Sequence, residues 1–208
     1  MKSIKKMLVL IIVLTNVVNP LILEENNLEQ PLINQIVEKL AFSIYGDDHM
    51  VSISLPCYWM VDMHVAHQYD SNGFFYIKER GIDDSPVYIF VKLYGKVEGK
   101  DFNDFVNYMV DDLRNYQTEY NVFRIGSETY STKMNKWNVE IYDVKIKSGN
   151  GHYQKIAYMV CENKYYIEIY IDCYEDTNEE NLKYIEDFIE CIHEIEYLNI
   201  TLKEYSNN

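Results

Sequence analysis

The sequence predicts an α+β protein built on an antiparallel sheet of about six strands, with helices packed on it. Three observations carry this expectation. From Met50 onward, short runs rich in Tyr, Ile, Val and Phe recur between turn signals, the pattern of half-buried strands. Near 101–117 and 179–196 that pattern gives way to apolar residues at helical spacing. The hydrophobic fraction of 48% is ample for a packed core, so disorder is not expected.

The first residues read as an export segment. Lys2, Lys5 and Lys6 precede the unbroken apolar run Met7–Leu14, the form of a secretory signal peptide. No small-residue cleavage pattern follows, and the apolar character resumes at Leu21-Ile22-Leu23, so residues 1–23 are either a signal peptide or an anchor. An extracytoplasmic location, secreted or periplasmic, follows, with membrane attachment only if residues 7–23 stay uncleaved. Residues 24–49 are expected to hold a polar linker and a short helix opened by Pro31, with Leu32, Ile33, Ile36, Val37, Leu40 and Ile44 on one face. An alternative stays open: Phe42–Tyr45 pairing as a strand with Met50–Leu55 across the turn at Gly46-Asp47-Asp48.

The domain proper is expected over 50–197, with 198–208 as a tail. Asn72-Gly73 is a tight-turn signal before the strand Phe74–Glu79, and Val87–Tyr94 follows the turn at 81–86. Asp101 is the candidate N-cap of a helix burying Phe102, Phe105, Val106, Met109, Leu113 and Tyr116. Strands are expected at 121–130, 137–147, 152–161 and 165–173, the last two as a hairpin over Glu162-Asn163-Lys164. Thr177 and Glu180 have capping-box spacing for a last helix burying Leu182, Ile185, Phe188, Ile189, Ile192 and Ile195.

Charge narrows the partners. The formal net charge is −14, and it becomes −17 once the three lysines of the export segment are removed. Such a surface repels phosphate backbones, so no nucleic-acid partner is expected. His64 and His67, with Asp62 between strand and turn signals, are the best metal-like pair. A strand or turn is the expected conformation there, which points them apart, and no third ligand lies at zinc spacing. They read as structural or surface residues, and no metal or cofactor is expected. Asp70-Ser71-Asn72-Gly73 begins like a calcium loop, but Phe74 and Tyr76 occupy later ligand positions, so it reads as a hairpin turn. Tyr166 and Tyr170 alternate with Ile167, Ile169 and Ile171 and are read as a second buried layer of the sheet. No nucleophile elbow or phosphate-binding loop occurs.

The four cysteines are the disulfide candidates. Cys161 sits beside the hairpin turn, opposite Tyr165 or Tyr166, and Cys173 lies about 26 Å further along the strand. That separation forbids their pairing, and with it Cys57–Cys191. Cys191, about 18 Å into a helix running back along the last strand, falls nearer the turn. Cys161–Cys191 and Cys57–Cys173 are therefore the expected bridges.

The element order also carries a resemblance. Leu55-Pro56-Cys57-Tyr58-Trp59 resembles the Ile-Pro-x-x-Trp opening of PsbP-like domains. A hairpin, the helix Asp101–Tyr116, a strand, a turn into Trp137–Tyr142, a long hairpin over Gly151–Cys173 and a final helix follow in both, covering about residues 50–197. The chain has Asn135-Lys136-Trp137 where those domains usually carry a Gly. The resemblance implies a sheet sandwiched by helices. It also implies a role in assembly or interaction, as for the family's photosystem II subunit and its Ran-binding nuclear-import factor. The expected function is thus an exported, non-enzymatic module for an unknown protein partner; the alternative is a hydrolase-like enzyme with an unrecognised site.

Overall fold

The computed structural model describes residues 38–47, 49–95, 101–116, 120–132, 135–146, 153–161, 165–173 and 179–198. Among them, two antiparallel sheets form. The larger has seven strands in the order β3 (Trp59–Val61), β4 (Gly73–Ile77), β5 (Val87–Tyr94), β9 (Tyr165–Cys173), β8 (Tyr153–Cys161), β7 (Lys136–Ile146) and β6 (Tyr120–Ser131). The smaller has β1 (Lys39–Tyr45), β2 (Met50–Pro56) and β10 (Glu196–Leu198) in the order β1-β2-β10. Three helices complete the described fold: α1 (Met63–Gln68), α2 (Phe102–Tyr116) and α3 (Glu179–His193).

The two-residue period of the central strands decides the layering, because both of their faces are apolar. Ala157, Met159, Ile167, Ile169 and Ile171 point to one face, where they pack with Val51, Ile53 and Leu55 of β2 and with Phe188 and Ile192 of α3. Tyr158, Val160 and Tyr166 point to the other, under Phe105, Val106 and Val110 of α2. A third cluster, Ala66 with Phe74 and Phe90, seats α1 on that second side. The expected sandwich is therefore corrected in composition. Among the described residues the sheet has seven strands rather than about six, and a second β-sheet shares one covering layer with α3.

Two indole N–H groups tie the layers. Pro56 ends β2 and Trp59, 1% exposed, begins β3, so the Pro-x-x-Trp segment is the crossing from one sheet to the other. Trp59 Nε1 donates to Asp187 Oδ2 at 3.3 Å, and the Tyr58 hydroxyl donates to the same oxygen. Burial raises the Asp187 carboxyl above its ordinary value, while the bonds from Tyr58 and Trp59 oppose the shift. On the far side, Trp137 Nε1 donates to the Ile195 carbonyl at 3.0 Å.

Several expectations at the short elements are overturned. Residues 39–45 are strand rather than helix, paired with β2 from Tyr45↔Met50 to Lys39↔Pro56, so the alternative left open is the correct one. Residues 31–37 lie outside the described residues. Asn72-Gly73 is not a β-hairpin turn; it joins α1 to β4. The Asn72 amide donates to the Tyr45 carbonyl at 3.0 Å and accepts from the Leu93 N–H at 2.7 Å, bonding the two sheets together. A Cβ on residue 73 would lie 3.0 Å from Ile44 Cδ1, a tight contact with the smaller sheet. The last helix stops at His193, and Glu196–Leu198 form a strand on β2. Leu182 is 48% exposed; Asn181 and Tyr184 take the buried face at that turn instead. Thr177 lies outside the described residues.

Candidate functional site

A groove runs between α2 and the outer strands of the large sheet. Asp101 fixes one end of it. Its Oδ1 accepts from the Asp104 N–H at 2.9 Å, and Asp104 Oδ2 accepts from the Asp101 N–H at 3.4 Å, a reciprocal N-terminal cap. With Phe105, Val106 and Val110 turned into the sheet, Asn103 and Asn107, one turn apart, line the flank facing β6 and β7. Ser127 and Thr129 of β6 and Asn138 and Glu140 of β7 line the opposite side, in register as Ser127↔Glu140 and Thr129↔Asn138. The cavity holds about 600 Å³ and is open to solvent; a smaller one of about 250 Å³ extends it past Arg124 and Tyr142.

The carboxylates of this groove are already engaged. Glu140 accepts from Arg124 Nε and Nη2 at 3.2 and 3.0 Å and from the Tyr142 hydroxyl at 2.8 Å. Glu128 meets His193 Nε2 at 2.9 Å, and Asp101 is held in its cap. Burial, then the bond to Glu140, pushes the Tyr142 hydroxyl up to about 12. What remains to meet a ligand is amide and hydroxyl: groups that recognise by hydrogen bonding and do not transfer protons near neutrality.

Beside the groove, β6 has β7 on one side and, among the described residues, no strand on the other. Its register shifts between Arg124 and Gly126, a bulge beside which Phe123 and Ile125 are 52% and 57% exposed.

Another carboxylate is sealed away from the groove. Glu168 lies across from Lys92 on β5 and Tyr158 on β8, and its Oε2 accepts from the Tyr94 hydroxyl at 2.6 Å. Burial drives its carboxyl upward, with Tyr94 and Lys92 pulling partly back. Tyr158 is fully buried, its hydroxyl has no hydrogen-bond partner, and burial and Glu168 raise it strongly.

The residues singled out from the sequence lie elsewhere. His64 and His67 are on α1, not on a strand or turn; Asp62 caps that helix by accepting from the His64 and Val65 N–H groups at 2.9 and 3.0 Å. Both histidines are exposed, His64 Nε2 bonds Gln68 Nε2 at 3.2 Å, and no group of three or more His, Cys, Asp or Glu suited to a metal occurs among the described residues. Replacing both with alanine is expected to leave stability within about 0.5 kcal/mol, as for other surface changes; stoichiometric zinc lost in the double variant would contradict this.

Neither expected disulfide is formed; Cys57, Cys161, Cys173 and Cys191 are free thiols. The hairpin geometry is as read, with Cys161↔Tyr165 at one end and Cys173↔Tyr153 at the other. Cys57, however, is exposed on the crossing between the sheets while Cys173 is buried at a strand end. Burial pushes the Cys173 thiol up to about 12 and raises Cys191 further, which keeps both protonated and unreactive. Tyr166 is buried as expected, and Tyr170 stacks on Phe90 at 4.7 Å.

No protein-family model matches the sequence, and no curated protein matches it. Among solved structures, the solution structure of cyanobacterial PsbP (CyanoP) from Synechocystis sp. PCC 6803 aligns with a TM-score of 0.51 at 12% identity. It covers 82% of this chain and 99% of its own. The fold is PsbP-like. The Ran-binding protein Mog1p of Saccharomyces cerevisiae aligns at a TM-score of 0.47 and 12% identity, over 77% of this chain and 95% of its own. Within this fold the Pro56–Trp59 segment makes the inter-sheet crossing, and the Asn135 side chain accepts from the Tyr197 N–H at 2.6 Å to hold β10.

Proposed function

We propose that the chain is an exported, non-catalytic interaction or assembly module that docks a protein partner on the side formed by α2, β6 and β7. The observation that supports this most is the state of the groove: shallow, open, lined by amides and hydroxyls, with its three carboxylates already committed to a cap, to His193 and to Arg124. Export rests on the basic and apolar segments at Lys2–Leu14. A hydrolase-like enzyme would instead need a proton-transfer group free to meet substrate.

The test is photocrosslinking in the native host. A benzophenone amino acid placed at Asn107 or Ile125 is expected to give one discrete protein adduct, and the same group at Glu79, near the opposite edge of the sheet, is expected to give none. Equal adducts from all three positions, or none from any, would overturn the reading.

A further inference from the structure

The seven-stranded sheet ends differently at its two edges. At one edge β3 has three residues, too few to template another strand. At the other β6 runs twelve residues, about 40 Å, with its outer side unpaired among the described residues. Apart from a bulge, the usual protections are missing there. Tyr120–Ser131 contains no proline and no lysine, and its single cation, Arg124, is turned onto Glu140. The bulge splits the edge into Tyr120–Arg124 and Gly126–Ser131 and leaves Phe123 and Ile125 exposed at the junction.

Resting on the interaction reading above, we infer that β6 receives an extended, lysine- or arginine-bearing segment of the partner as an added antiparallel or parallel strand. Backbone groups of Gly126–Ser131 supply the ladder, Phe123 and Ile125 anchor apolar side chains, and the groove beside Ser127 and Thr129 accepts alternate side chains.

Charge selects the occupant. Asp101, Glu128 and Glu140 line the groove against the one arginine beside it, and α2 adds Asp104, Asp111 and Asp112 against Arg114. The chain as a whole carries −14. That field steers a cationic segment to the edge and opposes a second copy of the chain, which brings the same charge.

Three extended probe peptides test it on the full chain: one alternating lysine with valine, its glutamate–valine counterpart, and the lysine–valine peptide N-methylated at alternate backbone amides. The lysine peptide is expected to bind, to slow amide exchange within Tyr120–Ser131, and to weaken about tenfold from low to high salt. N-methylation is expected to abolish binding, since it removes the ladder donors. Ile125→Lys, at an exposed position the fold does not depend on, is expected to weaken binding about tenfold or more. Equal binding of the glutamate or N-methylated peptide, protection elsewhere in the chain, or no binding at all would overturn the inference. A self-associated chain protected at β6 would overturn it in favour of a second copy. Crosslinking from Asn107 and Ile125 to a partner, without lysine-peptide binding, would sink this strand-addition step and leave the interaction reading standing.

Discussion

Glu168→Gln is expected to raise the melting temperature at neutral pH and to leave it nearly unchanged at acid pH. Glu168 is 8% exposed, on the sheet face beneath α2, where Phe105 packs edge-on to Tyr94 and Tyr158. Its ordinary carboxyl value is 4.5, and burial raises it in the folded protein. Below about 4.5 both folded and unfolded chains carry a neutral group, so the fold loses nothing there. As pH climbs towards the raised folded value, the unfolded chain ionises first, and stability falls by about 1.4 kcal/mol for each unit of separation. The loss is complete once pH exceeds the folded value. Glutamine removes the charge and keeps an oxygen for the Tyr94 hydroxyl, and its amide offers a donor to the Tyr158 hydroxyl across the strand pair. The gain in melting temperature is expected at about 2–4 °C per kcal/mol for a chain of this size. Thermal melts of both proteins from pH 4 to pH 8 check it: the gap must open with rising pH. A constant gap, or a glutamine variant that melts lower at pH 8, would mean that the Tyr94 bond outweighs the burial of charge.

The legible part of this fold is its regular part. In β7 to β9 each strand is nine residues or longer, and over Trp137–Ile141 of β7 and throughout β9 every second position is apolar, so Trp137-Val139-Ile141 and Ile167-Ile169-Ile171 declare both the strands and the face they bury. The helices α2 and α3 are likewise long enough for several turns of apolar spacing. The short pieces fail for a physical reason. Six residues of α1 hold fewer than two turns, too few for a period, and its one sequence signal is Asp62 as a cap. Residues 39–45 satisfy a helical and a strand pattern equally, and it is pairing with β2, remote from local propensity, that decides. The groove is less legible still. Asn103, Ser127, Asn138 and Glu140 are ordinary surface types spread over three elements, and only the sheet register and the orientation of α2 bring them together. The one trace in the sequence is in β7, where Asn138 and Glu140 stand on the face that Tyr142 and Val144 continue as apolar. The histidines and cysteines drew attention because their chemistry is distinctive, yet the structure places His64 and His67 on an exposed helix, Cys57 on the exposed crossing between the sheets and the other three cysteines in the core.

Trp137→Ala is expected to be the most damaging single change in the described fold, and Trp137→Phe distinctly milder. The indole is fully buried in the larger core, with Cys161 opposite it on β8. Truncating a buried aromatic to alanine typically removes about 3–5 kcal/mol, through lost burial and the cavity left behind. The change also removes the donor to the Ile195 carbonyl, and a buried carbonyl left unpaired adds about 1–3 kcal/mol. Against a total stability of about 5–15 kcal/mol, the sum unfolds much of the population or leaves it marginal. Phenylalanine keeps much of the buried ring volume but loses the donor and part of the indole, so its effect combines the lost hydrogen bond with a small cavity. That bond holds the chain where α3 ends and β10 begins, and the docking of β10 is shared by Tyr197 stacked on Tyr165 at 4.3 Å. Loss of the indole donor therefore loosens β10 before it loosens β7. Urea unfolding gives the midpoints. In the phenylalanine variant, amide exchange is expected to quicken at Glu196–Leu198 and at its partners Met50–Ser52, while β7 and β8 stay protected. Uniform acceleration across both sheets would show that Trp137 acts only through bulk packing; equal midpoints for the two variants, which both lack the donor, would remove ring volume from the account.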